Sequence, residues 1–164
     1  MPRRFLTLLR EHLDSLTRAW VDAVYADRRT DLASILSFRE LIEHLPEIID
    51  ELARLLDAGA NATEAAEGAR CCRTLAQARF QQGVLIDEVA RELMLLRNTL
   101  SEFLWQNAPE LALTEARDLR DALRLTAEFF DELIAQAILV YATSLRPVVP
   151  TRGSVWPPPR RGRR

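Results

Sequence analysis

Apolar residues recur at intervals of three and four along most of this chain, and that regularity decides its fold class. An α-helix places residues three and four apart on one face, whereas a strand does so for residues two apart. Leu6, Leu9, Leu13, Leu16 and Trp20 make the first seam and predict one long helix over about residues 4–27. Asp31–Leu36 reads as a loop or a short helical turn. Ser37 with Glu40 has the spacing of a capping box and opens a short helix through His44. Pro46 should be the first residue of the next helix, where a missing N–H costs nothing. Leu45, Ile48, Ile49, Leu52, Leu55 and Leu56 form that helix's apolar face, and Gly59 follows its end.

Asn61 with Glu64 opens an alanine-rich helix over about 62–82 that Gly83 stops. Ile86, Val89, Leu93, Leu96, Leu100 and Phe103 make the most regular seam and predict a helix over about 86–106. Thr114 should cap the last helix, over about 115–145, with Leu119, Leu123, Thr126, Phe130, Leu133, Ala137 and Val140 as its seam. No segment alternates at period two between turn signals. The expected body is therefore all-α, an antiparallel bundle of about five main helices within residues 1–145. Pro147, Pro150 and Pro157–Pro159 forbid helix, so residues 146–164 are expected to be a disordered Pro/Arg-rich tail.

Composition removes several functions. The chain has no lysine, and all 22 cationic side chains are arginine. Phosphate-loop NTPases, protein kinases and pyridoxal-phosphate enzymes all need a lysine and are excluded. Charge is unevenly placed: residues 145–164 hold 6 arginines and no acid, which leaves a net −8 on the rest. An acidic body suits no specific nucleic acid. The longest uncharged stretch, Leu133–Leu145, is too short for a membrane span, which takes about 20 residues. Cys71 and Cys72 are adjacent and cannot staple a fold, which suits a reducing, cytoplasmic setting.

Candidate chemistry is sparse. The only histidines, His12 and His44, lie on different segments, and no CxxC, CxxH or Glu-x-x-His spacing exists. Neither metal nor heme nor any other cofactor is expected, and no enzyme activity. Cys71 and Cys72 read first as small residues on a close-packed helix, and second as a redox pair. Most carboxylates, among them Glu43, Glu47, Asp50 and Glu51, fall opposite an apolar stripe and read as a solvated face.

One segment departs from this pattern. Arg79 and Glu92 fall beside apolar seam positions rather than opposite them. Two helices joined at about residues 83–85 and packed antiparallel would bring Arg79 opposite Val89–Glu92, so Arg79 should pair with Glu92 or Glu88. The run Arg79, Gln82, Gly83, Glu88, Glu92, Leu96 and Arg97 resembles the N-terminal domain of RsbT co-antagonist proteins of the RsbR/RsbD type. That domain also stands at the front of some bacterial sensor histidine kinases. Leu45-Pro46-Glu47 with Ile48-Ile49 is similar to its second corner, and Phe129-Phe130-Asp131-Glu132 through Ala142 to its last helix. The resemblance covers about residues 5–145. Leu75 stands where family members often carry a histidine, about four residues before the arginine.

The resemblance implies a helical, globin-like sensory or regulatory domain without heme. It also implies a non-catalytic module that binds protein partners or dimerises to bias a stress-response or kinase pathway. Its partner would be a kinase, a STAS-domain protein or a sigma-factor-pathway component. On this reading Arg79, Gln82, Gly83, Glu88, Glu92 and Arg97 form a structural corner and not a catalytic set. The alternative is a small-molecule sensor with a pocket between helices. The last helix is long and gains Ile134, Ile138 and Tyr141 as its charges run out, which predicts a homodimer through it or through the first helix.

Overall fold

A computed structural model describes residues 4–113 and 115–145, and no strand occurs among them. The segments in chain order are α1 (Phe5–Glu11), α2 (Leu13–Ala26), α3 (Leu32–Ile35), α4 (Phe38–Ile42), α5 (Leu45–Ala58), α6 (Ala62–Cys71), α7 (Thr74–Gln81), α8 (Ile86–Gln106) and α9 (Ala116–Ser144). Among them α2, α5, α6, α8 and α9 have ten residues or more. The cap expected from Thr114 and the tail expected over 146–164 lie outside the described residues.

Local chemistry sets the helix ends. Ser37 and Asn61 each close a capping box, with Glu40 and Glu64 reaching back to the cap N–H. Helix α5 begins at Leu45, one residue before the start expected at Pro46, which is its second residue and still needs no N–H partner. Helices α5 and α7 both stop on a glycine in the left-handed region, Gly59 at φ +62° and Gly83 at φ +78°. Each closes the same pair of bonds over the last carbonyls. After α5, Gly59 N–H donates to Leu56 O at 3.2 Å and Ala60 N–H to Leu55 O at 3.0 Å. After α7, Gly83 N–H donates to Phe80 O at 3.2 Å and Val84 N–H to Arg79 O at 3.0 Å.

Two of the expected long helices are bent. The first breaks at His12 because its halves pack on different partners, α1 on α5 and α2 on α8. Asp57 of α5 accepts from Phe5 N–H (2.8 Å) and Leu6 N–H (3.2 Å), so a carboxylate from another helix caps α1. Arg10 pairs with Asp50 farther along at 3.0 Å. The alanine-rich helix breaks at Cys72, whose N–H closes a tight bond to Ala69 O, before α7 resumes at Thr74. There the Thr74 hydroxyl donates to Glu47 of α5 at 3.0 Å.

Helix α9 is the axis of the body. It packs against α5, α6, α7 and α8, and buries Phe129, Phe130, Leu133 and Ala137 along its middle. The rings of Phe129 and Phe130 meet edge to face with centroids 5.5 Å apart. The small residues Ala65, Gly68 and Ala69 let α6 come close, and a methyl at Gly68 would meet the Glu51 carboxylate at 2.6 Å. Helices α8 and α9 run antiparallel, since Val84 meets Tyr141 and Arg97 meets Asp131.

A Cβ at Gly83 would meet nothing within 4 Å, so replacing it tests backbone strain alone. Gly83→Ala should lower unfolding free energy by about 1–2 kcal/mol in urea, the cost of left-handed backbone for an L-residue. An unchanged midpoint would show that the turn does not need its glycine.

Candidate functional site

Arg79 lies in the last turn of α7 and is wholly buried, at 0% exposure, facing Glu92 of α8 at 1%. A guanidinium has five N–H donors in a planar fork, and burying it demands an acceptor for each. All five are met. Nε donates to Glu92 Oε2 at 2.9 Å and Nη2 to Glu92 Oε1 at 2.7 Å, a bidentate pair. The other Nη2 hydrogen goes to Leu41 O at 3.1 Å. Nη1 donates to Glu40 O at 3.2 Å and to Gln82 Oε1 at 2.9 Å. One side chain thus closes the carboxylate of α8 and the carbonyls at the end of α4. Burial pushes the Glu92 carboxyl up, against the hydrogen bonds and charge of Arg79.

The other corner residues divide. Gln82 and Gly83 belong to it, as partner of the guanidinium and as the turn. Glu88 is buried beside it and does not pair with Arg79. Its Oε1 accepts from Asp31 N–H at 2.8 Å, and its Oε2 from Leu85 N–H at 3.3 Å, so it ties the α2–α3 connection to the start of α8. Arg97 lies farther along α8 and pairs with Asp131 of α9 at 3.0 Å near the surface.

Two residues that the sequence places only in apolar seams complete the arrangement. Trp20 Nε1–H donates to Glu92 O at 3.2 Å, which fastens α2 to α8. The Tyr141 hydroxyl donates to Val84 O at 2.5 Å, and its ring meets Phe80 edge to face at 5.2 Å. Burial pushes the Tyr141 phenol up to about 12. These bonds gather α2, α4, α7, α8 and the end of α9 at one end of the bundle.

The two other candidate sets stay apart. His12 tilts against Phe103 with centroids at 5.4 Å, and His44 stands before α5 with Nε2 unpartnered. Burial, then the nearby Arg79 charge, lowers the His44 pKa. Cys71 is exposed, while Cys72 is buried and its thiol pushed up to about 12 by that burial, which suits an inert packing thiol.

Among the described residues the exposed large hydrophobic side chains are Tyr25, Ile35, Phe38, Leu85, Trp105, Ile138, Leu139 and Leu145. Phe38 and Leu85 belong to the segments that the corner ties together, and Leu139 lines a shallow groove with Arg73 and Gln77. Nearer the start of α9, a groove of about 560 Å³ runs between α1, the end of α5 and α9, lined by apolar Phe5, Leu56, Leu113 and Leu125 and by Asp121 and Glu128 with Arg124 between them. No helix among the described residues is long and apolar enough to cross a membrane.

Among the described residues the body is all-helical and organised around a buried arginine corner. Residues 14–152 match the RsbT co-antagonist protein rsbRD N-terminal domain, and the chain belongs to that family of stress-signalling regulatory domains. No curated protein and no solved structure matches it significantly.

Breaking the buried pair from one side leaves a charge uncompensated. Glu92→Ala and Arg79→Ala should each cost about 3–5 kcal/mol in denaturant unfolding. Arg79→Met with Glu92→Leu should cost clearly less than the two single changes added together. Strict additivity would show that the two residues do not act as a pair.

Proposed function

We propose that this domain acts without catalysis, by protein–protein contact through the apolar end that the Arg79 corner holds in shape. In this role Arg79, Gln82, Gly83, Glu88 and Glu92 are positioning residues, and Arg97 braces α8 on α9 behind them. The occupant is a protein partner, a kinase, STAS-domain or sigma-factor-pathway component of a cytoplasmic signalling pathway, or a second copy of the chain. The observation that carries the reading is the exposure of Phe38 and Leu85 on segments held by one buried corner, with Leu145 one turn beyond Tyr141. Monomeric proteins rarely leave more than a few hundred Å² of contiguous apolar surface uncovered, and such patches mark interaction sites.

The test uses exposed residues, so the fold is left alone. Phe38→Glu and Leu85→Glu should keep the unfolding midpoint and abolish capture of a kinase, STAS-domain or sigma-factor-pathway protein from native lysate. In sedimentation at roughly tens of micromolar they should also reduce self-association. Capture and self-association both unchanged would overturn the reading. Robust turnover lost on replacing Cys71, Cys72, His12 or His44 would put an enzyme in its place.

The groove beside α9 favours a second reading, a small-molecule sensor. Its volume of about 560 Å³ falls within the size range of ligand sites.

A further inference from the structure

We propose that His44 makes the joint between α4 and α5 acid-sensitive: protonating its ring frees the end of α4 from Arg79, and with it the segment that carries Phe38. The inference rests on the reading of Phe38 as part of the docking surface, and it adds a condition under which that surface loses its shape.

The joint is short. Helix α4 ends at Ile42 and α5 begins at Leu45, so Glu43 and His44 alone make the turn between them. The two carbonyls that Arg79 holds, Glu40 O at 3.2 Å and Leu41 O at 3.1 Å, lie four and three residues before His44. On the other side the His44 carbonyl accepts from Ile48 N–H at 3.3 Å and opens the ladder of α5. A two-residue turn has no slack, so a displacement of His44 acts on both helices.

The ring is placed where its inner nitrogen cannot carry a proton comfortably. Nε2 is buried and has no hydrogen-bond partner among the described residues. In the neutral tautomer with its hydrogen on Nδ1, that nitrogen is a bare lone pair. The imidazolium has an N–H at both nitrogens, so protonation buries a charged donor that nothing accepts.

The charges that act on the ring come from α7, from the turn itself and from α5. The Arg79 guanidinium opposes a second positive charge beside it, although Glu92 of α8 is paired with it at 2.7 Å. Glu43 and Glu47 favour one, Glu47 while accepting from the Thr74 hydroxyl at 3.0 Å. Burial first, and Arg79 next, outweigh the two glutamates and hold the ring's pKa below its ordinary value. A histidine in an unfolded chain protonates near about 6.5. The neutral ring therefore favours the folded chain fully above that pH, and this contribution is lost as pH falls below it through the folded pKa. The ring escapes the penalty by leaving its place, and the turn and the α4 carbonyls leave with it.

The chain has two histidines, so His12→Gln and His44→Gln assign the ring signals in proton–nitrogen spectra of the full chain. Between about pH 8 and pH 5 the His44 ring should titrate with a midpoint below that of histidine in an unstructured peptide. The amides of Phe38–Leu41 should shift with the same midpoint. That transition should vanish in His44→Gln, or in His44→Phe should the glutamine variant not fold. In urea the unfolding constant of the unsubstituted chain should rise severalfold relative to either variant as pH falls over the same range, and His12→Gln should follow the unsubstituted chain. A ring midpoint at or above the peptide value would overturn the proposal. So would Phe38–Leu41 amides that do not follow the ring, or a stability difference from the variants that is flat with pH. The two readings fail separately. If the joint titrates in this way while Phe38→Glu leaves partner capture unchanged, the acid response stands and the docking surface falls. If Phe38→Glu abolishes capture while the ring midpoint matches the peptide, the docking surface stands and the acid response falls.

Discussion

The guanidinium of Arg79 sets the terms for everything around it. A buried arginine is tolerable only when all five donors are met, and here they are met by three separate pieces of chain: the α8 carboxylate, the α7 amide and the carbonyls closing α4. None of these can move without stranding a donor in a place where water cannot replace the lost acceptor. The bonds of Glu88, Trp20 and Tyr141 then extend the same demand to α2 and α9. A corner of this kind adds little net stability over an apolar one of the same shape. What it adds is a single allowed arrangement.

On the proposed function, that single arrangement is what would give a partner a fixed surface. Exposed apolar side chains on independently moving segments would offer a partner no fixed shape, and ordering them on contact would consume much of the binding energy. Phe38 follows Ser37 and begins a helix whose last carbonyls Arg79 holds, and Leu85 stands on the turn whose N–H Glu88 holds. Preorganisation of the surface is therefore a property of the charges beneath it.

Much of this was legible in the sequence because it is written in local rules. The capping boxes at Ser37 and Asn61, Pro46 in the first turn, and Gly59 and Gly83 past helix ends each act within a few residues, and each boundary follows from them. The two bends were not legible. The buried stripe Ala65, Ala69, Cys72, Ala76 and Arg79 keeps its three-and-four spacing straight through the break at Cys72, so periodicity reports which face is buried and stays silent about a kink in the axis. The same holds at His12, where the bend comes from α1 choosing α5 and α2 choosing α8. Placing Arg79 opposite Glu92 needed only the turn between two helices. The roles of Leu41 O, Trp20 and Tyr141 lie in contacts across long stretches of chain, and no spacing rule carries them.

Helix α9 runs unbroken for 29 residues, from the groove at Asp118 to Tyr141 at the corner. A hydrogen-bonded helix is stiff along its axis, and a close-packed interior does not absorb displacement by compressing. α9 is therefore a single stiff beam, clamped along its length by α5, α6, α7 and α8, and it fixes the distance between the wall of the groove and the Tyr141 hydroxyl that holds Val84.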